Sequence, residues 1–462
     1  MESSLNEHYF LGHIHDVLMA QSKIPTNTMI QGFSKRSQEE KVDILLNNFK
    51  LPSSLKQTLN SHLHKNLQDT YNQFSENTVS NFYLPYGVAP NFIINQKEYA
   101  IPMAIEESSV VAAAAKAAKF WSRLGGFQTK VISSIKEGQL FFTSDWKFGE
   151  LKEHMPYIHT ALIQGITDLT QSMEQRGGGI VDMQLIPITD IDDQSYCLQV
   201  HFETADSMGA NFINTCLERM GNHLCTILED KNKTKQVTID MAILSNYTPS
   251  CMVECTISCP IHSLGAYAGN YTSQEFARRF EKAVLLAKHN TPRAVTHNKG
   301  IMNGVDAVVM ATGNDYRAIE AGVHAYAARS GKYSSLTNIT LTDELFTYTL
   351  TLPLALGTVG GLTKIHPLAH FSLALLGNPS AYELMQIIAS AGMANNFSAI
   401  AALVTSGIQQ GHMKMHLSNI LFTFNASDDE KAKAFNYFNN HTVSHSAVKQ
   451  FLESERHTDN EI

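Results

Sequence analysis

Between about residues 130 and 240 the chain changes character, and that change limits its architecture more than any other feature. Strand candidates FQTKVISSI, QLFFTS, GIVDMQLIPI and SYCLQVHFET alternate there with helix candidates HMPYIHTALIQGITDLTQSMEQ and NFINTCLERMGNHLCTILED. Strands and helices in this proportion predict a small α+β unit of split β-α-β type. After about 240 a more apolar, glycine-punctuated chain returns, so the unit is expected to be inserted into a larger one. At 462 residues the chain is too long for one compact core.

Charge narrows the function classes. A net charge of −8 offers no global basic field for nucleic acid or an anionic membrane. With 44% hydrophobic but only 17% charged residues, the chain is expected to bury surface beyond one monomer's core. No uninterrupted apolar run reaches the roughly 18–20 residues of a spanning helix. The start, MESSLNEHYFLGHIHD, carries acids and histidines where a secretory signal carries basic and then apolar residues. The expectation is a soluble, cytoplasmic protein.

Three of the six cysteines fall in CMVECTISC with a spacing of four. On a strand this spacing holds the sulfurs about 13 Å apart on one face, too far for one metal ion or a disulfide. The alternation of Cys251, Val253, Cys255, Ile257 and Cys259 predicts that strand, with reduced thiols and no metal.

Ser37 and Glu40 in SQEEKVDILLNNF form a capping-box pattern, and ESSVVAAAAKAAKFW reads as an alanine-rich helix ended by Gly125 and Gly126. In THNKGIMNG, Lys299 lies between Asn298 and Gly300 and is expected in a small-residue turn. Asn303 then caps a helix VDAVVMAT stopped by Gly313, and Asp315 caps the next. Alone, Asp315 is an ordinary cap and Lys299 a surface lysine; beside buried helices the lysine needs an anionic partner. Glu106 and Glu107 precede the alanine-rich helix, and two acids exceed what capping requires; a buried one there would be suited to proton donation. DSMGAN (206–211) and LGTVGGLT (356–363) offer backbone N–H groups to an anion, and each is equally compatible with an ordinary turn. No GxGxxG occurs. Gly411 ends a helix in GIQQGHMKMH, which puts His412 at the head of the polar tail.

Together, GFSKRSQEEKV, LPYGVAPNFIINQKEYAIPMAIEESSVVAAA, DSMGANFINT, PRAVTHNKGIMNGVDAVVMATGNDYRAIEAGVHAYA, GTVGG and GIQQGHM closely resemble the class II, soluble bacterial-type hydroxymethylglutaryl-coenzyme A reductases over nearly the whole chain. The resemblance implies an α+β multidomain fold. Its parts are a large, mainly helical α/β substrate domain (1–131 and 241–407), an inserted small ferredoxin-like, non-Rossmann cofactor domain (132–240) and a mobile C-terminal helical flap (408–462). It implies reduction of hydroxymethylglutaryl-coenzyme A to mevalonate and coenzyme A with two NADH or NADPH, without a metal, in a homodimer with shared active sites; a higher assembly of dimers is left open.

By the same matching, Lys299 stabilises the oxyanion, Glu107 donates a proton, Asp315 belongs to their hydrogen-bonded network, and His412 protonates the departing thiolate. Arg293, Ser109, Asn303 and Asn395 contact substrate. Asp206, Met208, Gly209, Asn211, Thr358, Val359 and Gly360 contact the cofactor. The chain departs from the family at Ser108 for proline, Ser207 for alanine, Asn395 for glutamine, and Ser80 and Leu362 for glycines. A non-redox acyl-coenzyme A hydrolase or lyase is the rival reading, against which the cofactor motif speaks.

Overall fold

The computed structural model describes residues 30–407, 417–438 and 441–458. Two compact units follow one another, the first ending at Leu84 and the second starting at Pro85.

The first unit holds α1 (Gln38–Asn48), α2 (Ser54–Ser61) and a single turn, Gln68–Tyr71. Ser37 and Glu40 form the expected capping box. Ser80 donates its hydroxyl to the Leu59 carbonyl at 2.7 Å.

The second unit opens with an antiparallel hairpin, β1 (Tyr86–Ile94) and β2 (Lys97–Ala104), followed by α3 (Val110–Trp121). Gly126 takes a φ of +75° beyond this helix, and a β-carbon there would lie 2.2 Å from the Ile93 carbonyl oxygen, so only glycine fits. Strand β3 (Gln128–Val131) then leads into β4 (Lys136–Ser144), α4 (Phe148–Gly165), α5 (Thr167–Glu174), β5 (Gly179–Pro187), β6 (Ser195–Glu203), α6 (Ala210–Lys231) and β7 (Val237–Leu244). Strands β4 to β7 make one antiparallel sheet in the order β5-β6-β4-β7. Leu140, Phe142, Leu198, Val200 and Phe202 on this sheet pack with Ile213, Leu217 and Met220 of α6 into a separate core.

The segment FQTKVISSI departs from its reading. Only Gln128–Val131 is extended, and this strand pairs with another sheet. That sheet has the order β3-β8-β10-β9, using β8 (Met252–Pro260), β9 (Thr337–Leu341) and β10 (Leu345–Pro353). Between β8 and β9 run α7 (Ser273–His289), α8 (Thr291–Ala311) and α9 (Tyr316–Ala327); after β10 come α10 (Pro367–Leu375) and α11 (Ala381–Val404). Cys251, Cys255 and Cys259 are buried free thiols, the last two on β8. Burial pushes the Cys255 thiol up to about 12, which keeps it unreactive.

One helix corrects the reading of apolar runs. Ala381–Val404 is long and apolar enough to cross a membrane by length and composition, but most of it is buried inside the protein. Its polar residues Glu383, Gln386, Asn395, Asn396 and Ser398 broke up the run. After residue 416, a helix over 417–423, α12 (Asp428–Tyr437) and α13 (His445–Thr458) share a small core of Leu421, Ala434, Val448 and Leu452.

Candidate active site

The lysine expected in a turn lies in the middle of a helix. α8 runs unbroken from Thr291 to Ala311, with Asn290 as its cap accepting from the Arg293 N–H and Pro292 in its first turn. Asn303 is therefore a mid-helix residue and caps nothing. The glycines read as turn punctuation serve helix packing instead: a β-carbon on Gly304 would lie 2.4 Å from the Ala391 carbonyl oxygen of α11, and one on Gly392 2.8 Å from Val305 Cγ2. Gly313, with φ +71°, ends the helical segment as expected.

The crossing of α8 and α11 beside the start of α3 encloses a cavity of about 430 Å³. Glu107, Ser109, Arg293, Lys299, Asn303 and Asn395 all line it. The Lys299 ammonium donates to Glu107 Oε2 in an ion pair whose side chains are 59% and 36% exposed. Ser109 precedes α3 with φ 77°, a left-handed conformation unusual for a serine and of the kind that clusters at functional sites. Arg293 is half-buried and pairs with no carboxylate among the described residues, and its burial lowers its pKa. A half-buried guanidinium with no internal anion is electrostatically suited to an anionic ligand. Thr296, Asn396 and Ser398 also line the cavity and were not singled out in the sequence. For Asn396 and Ser398 the signal was polarity inside the otherwise apolar run AGMANNFSAIAA; Thr296 stands one turn before Lys299 on α8.

Asp315 is not brought to Lys299 within the chain. Its carboxylate caps α9 by accepting from the Arg317 and Ala318 N–H groups, and it also pairs with the Arg317 side chain. Two turns beyond Lys299 on α8, Asp306 is half-buried with its Oδ1 sealed from solvent, and its pKa is pushed up to about 9 by desolvation and by Glu320 of α9. Glu320 in turn holds His324 Nε2 at 2.7 Å. His412 lies outside the described residues.

The two glycine-bearing loops meet. The Asp206 carbonyl accepts from the Thr358 N–H at 2.8 Å, and a β-carbon on Gly357 would lie 2.4 Å from the Met208 nitrogen. Asp206 Oδ1 accepts from the Ala381 N–H at the start of α11, at 2.7 Å. Ser207 Oγ accepts from the Gly209 N–H at 3.1 Å. Gly209 (φ +89°) ends this loop just before α6, and Asn211 is exposed in the helix's first turn. Gly360 and Gly361 have positive φ with open space where a side chain would stand, and Val359 is 40% exposed. The Thr358 and Val359 N–H groups are taken by the Asp206 carbonyl, and the Gly209 N–H by Ser207 Oγ.

Residues 39–417 match the hydroxymethylglutaryl-coenzyme A reductase family. The chain belongs to that family. It is 34% identical to the 3-hydroxy-3-methylglutaryl-coenzyme A reductase of Archaeoglobus fulgidus, with 92% of each chain covered. It is 32% identical to the probable enzyme of Borreliella burgdorferi, over 78% of this chain and 80% of that one. Among solved structures, the class II reductase of Streptococcus pneumoniae bound to NADPH in open conformations is 37% identical, with a TM-score of 0.67 over 81% of this chain and 99% of that one. A second structure of the Streptococcus pneumoniae enzyme covers 92% of this chain and 99% of its own at 35% identity and a TM-score of 0.66. The α+β fold is thus similar to that of the class II reductases, and the protein is an oxidoreductase, a hydroxymethylglutaryl-coenzyme A reductase by family.

Proposed function

We propose that the cavity between α3, α8 and α11 is where the thioester of hydroxymethylglutaryl-coenzyme A is reduced to the alcohol of mevalonate, releasing coenzyme A. One observation carries this reading: a Lys–Glu pair and an arginine with no carboxylate partner among the described residues line the same cavity. Arg293 takes the free carboxylate of the substrate, with Ser109, Asn303 and Asn395 around it. The Lys299 ammonium meets the thioester oxygen, where negative charge develops, and lowers the barrier by preorganised attraction. Glu107, held on that ammonium, is placed to pass a proton to the same oxygen. A bound NADH or NADPH supplies hydride, twice per turnover.

Asp206, Met208, Gly209, Asn211, Thr358, Val359 and Gly360 would hold that cofactor, with residues 132–240 as an inserted ferredoxin-like, non-Rossmann domain; the strand order β5-β6-β4-β7 supports this. Residues 1–131 and 241–407 then form the substrate domain and 408–462 a flap, from which His412 protonates the leaving thiolate. Asp315 and Lys299, both partly exposed and apart within one chain, support a homodimer in which two copies share each site. The same reading places the protein in the cytoplasm.

The test is absorbance at 340 nm with hydroxymethylglutaryl-coenzyme A and each reduced nicotinamide in turn. Consumption of two nicotinamides per thioester is expected. Release of free coenzyme A without nicotinamide consumption would establish a hydrolase or lyase instead.

A further inference from the structure

The two residues immediately before Lys299 are polar and buried: His297 is 2% exposed and Asn298 0%. Both reach the same segment at the entry to β9. His297 Nε2 lies 2.8 Å from Thr337 Oγ1. The Asn298 amide donates to the Ser334 carbonyl at 3.0 Å, and its oxygen accepts from the Leu336 N–H at 3.2 Å.

A further tie comes from α11. Asn396, 1% exposed, donates through Nδ2 to the His297 carbonyl at 2.9 Å. A carbonyl can only accept, so the amide nitrogen must face it, and Oδ1 takes the Tyr348 hydroxyl. The Tyr348 oxygen also lies 3.0 Å from Thr337 Oγ1, so the tie closes on β9 and β10. Burial, with the Arg293 charge adding to it, pushes His297 down to about 3, and the cluster stays neutral through the working pH range.

Small and apolar residues, Gly304 against Ala391 and Gly392 against Val305, also join α8 to α11. A buried polar network whose groups are paired selects one arrangement over near alternatives, and here each side-chain group named has a partner except His297 Nδ1. This one grips the turn of α8 that carries Lys299, and Asn396 is the sequence neighbour of Asn395 in the cavity. We propose that Thr337, Tyr348, Asn396, His297 and Asn298 are positioning residues that set where the Lys299 ammonium meets the developing oxyanion. The proposal rests on the reading of Lys299 as the oxyanion stabiliser.

The test compares Thr337→Val, Thr337→Ser and Tyr348→Phe, each alone and combined with Lys299→Ala, with rates referred to the folded fraction from thermal melting. A displacement of a catalytic group by about 1 Å costs up to roughly 10²-fold, so a loss of roughly tenfold in kcat is expected for Thr337→Val and Tyr348→Phe. KM for thioester and nicotinamide should change little, and Thr337→Ser, which keeps the hydroxyl, should restore the rate. In the Lys299→Ala background the same substitutions should cost nothing further, because the group they position is gone. Unchanged kcat, or losses that multiply with that of Lys299→Ala, would overturn the proposal. Should Tyr348→Phe fail to fold, the Val and Ser variants at Thr337 decide alone. Near-wild-type turnover in Lys299→Ala would remove the reading of Lys299 as well, whereas an inactive Lys299→Ala beside fully active network variants would remove the network alone.

Discussion

Gly304 of α8 sits against Ala391 of α11 so closely that a β-carbon would lie 2.4 Å from the Ala391 carbonyl oxygen and 2.8 Å from Asn395 Nδ2. Backbone cannot yield as a flexible side chain can, so Gly304→Ala must part the two helices. Overpacking of this kind costs about 1–3 kcal/mol. Because Asn303 and Asn395 line the cavity at the same crossing, KM for the thioester should rise as the melting temperature falls. A variant that melts with the wild type would contradict the contact.

Lys299→Ala removes the cation paired with Glu107 from the cavity, leaving Arg293 in place. Loss of one preorganised donor to a developing oxyanion costs about 10²–10³-fold in rate. Turnover should drop by that factor while calorimetry still detects substrate binding.

Arg293→Ala should act on affinity. Hydrogen bonds to charged groups contribute about 1.5–3 kcal/mol, so KM for the thioester is expected to rise roughly one to two orders of magnitude. Stability should not fall, since the side chain is half-buried with no internal carboxylate to lose. A large drop in melting temperature with unchanged KM would make Arg293 a structural residue.

His412→Gln separates two chemical steps. Expulsion of coenzyme A from the hemithioacetal needs an acid on sulfur, and an alkyl thiolate leaves poorly near neutral pH without one. Added mevaldehyde has already lost that sulfur. Overall thioester reduction should slow severely in the variant and mevaldehyde reduction much less; equal losses would rule out the acid role.

Asp306 gives a signed pH dependence. Its folded pKa is pushed up to about 9, first by burial and then by Glu320. Above the unfolded value of about 3.9 the unfolded chain releases a proton that the folded one keeps, so this contribution to stability falls as pH rises through the window. Glu320 is lowered to about 2, mainly by His324, and it contributes stability that is lost as pH falls below about 4. The two carboxyls titrate as a pair. Asp306→Asn should flatten the decline in melting temperature between about pH 5 and pH 9; parallel curves for variant and wild type would contradict the assignment.

Much of this was legible in the chain because it is local. The Ser37 capping box, the Asp315 cap and the alternating cysteines of β8 each depend on residues a few positions apart. Lys299 was misplaced because Gly300 and Gly304 look like turn residues until α11 is packed against them. The true helix start, Asn290 followed by Pro292, was present as a signal and was outweighed. The ties among His297, Thr337, Tyr348 and Asn396 join positions far apart in the chain, and no spacing rule reaches them. The segment before β4 was misread because β3 finds its partner only beyond the inserted sheet.

That pairing also bears on how the chain is built in time. Val131 of β3 faces Val253 of β8, and the whole sheet of β4 to β7 lies between them in sequence. During synthesis from the N-terminus, the intervening sheet with its own core can form before β8 has emerged, while β3, held by Asn95 at Thr129, waits without its strand partner. Closing a loop costs entropy that grows with its flexible length, so an intervening segment that has already folded, with its ends brought near each other, shortens the gap that β3 and β8 must bridge. The intervening sheet is thereby a folding aid to the sheet that brackets it. A lesion that slows its assembly would leave an unpaired β3 edge exposed on the nascent chain, even where no residue of the cavity has changed.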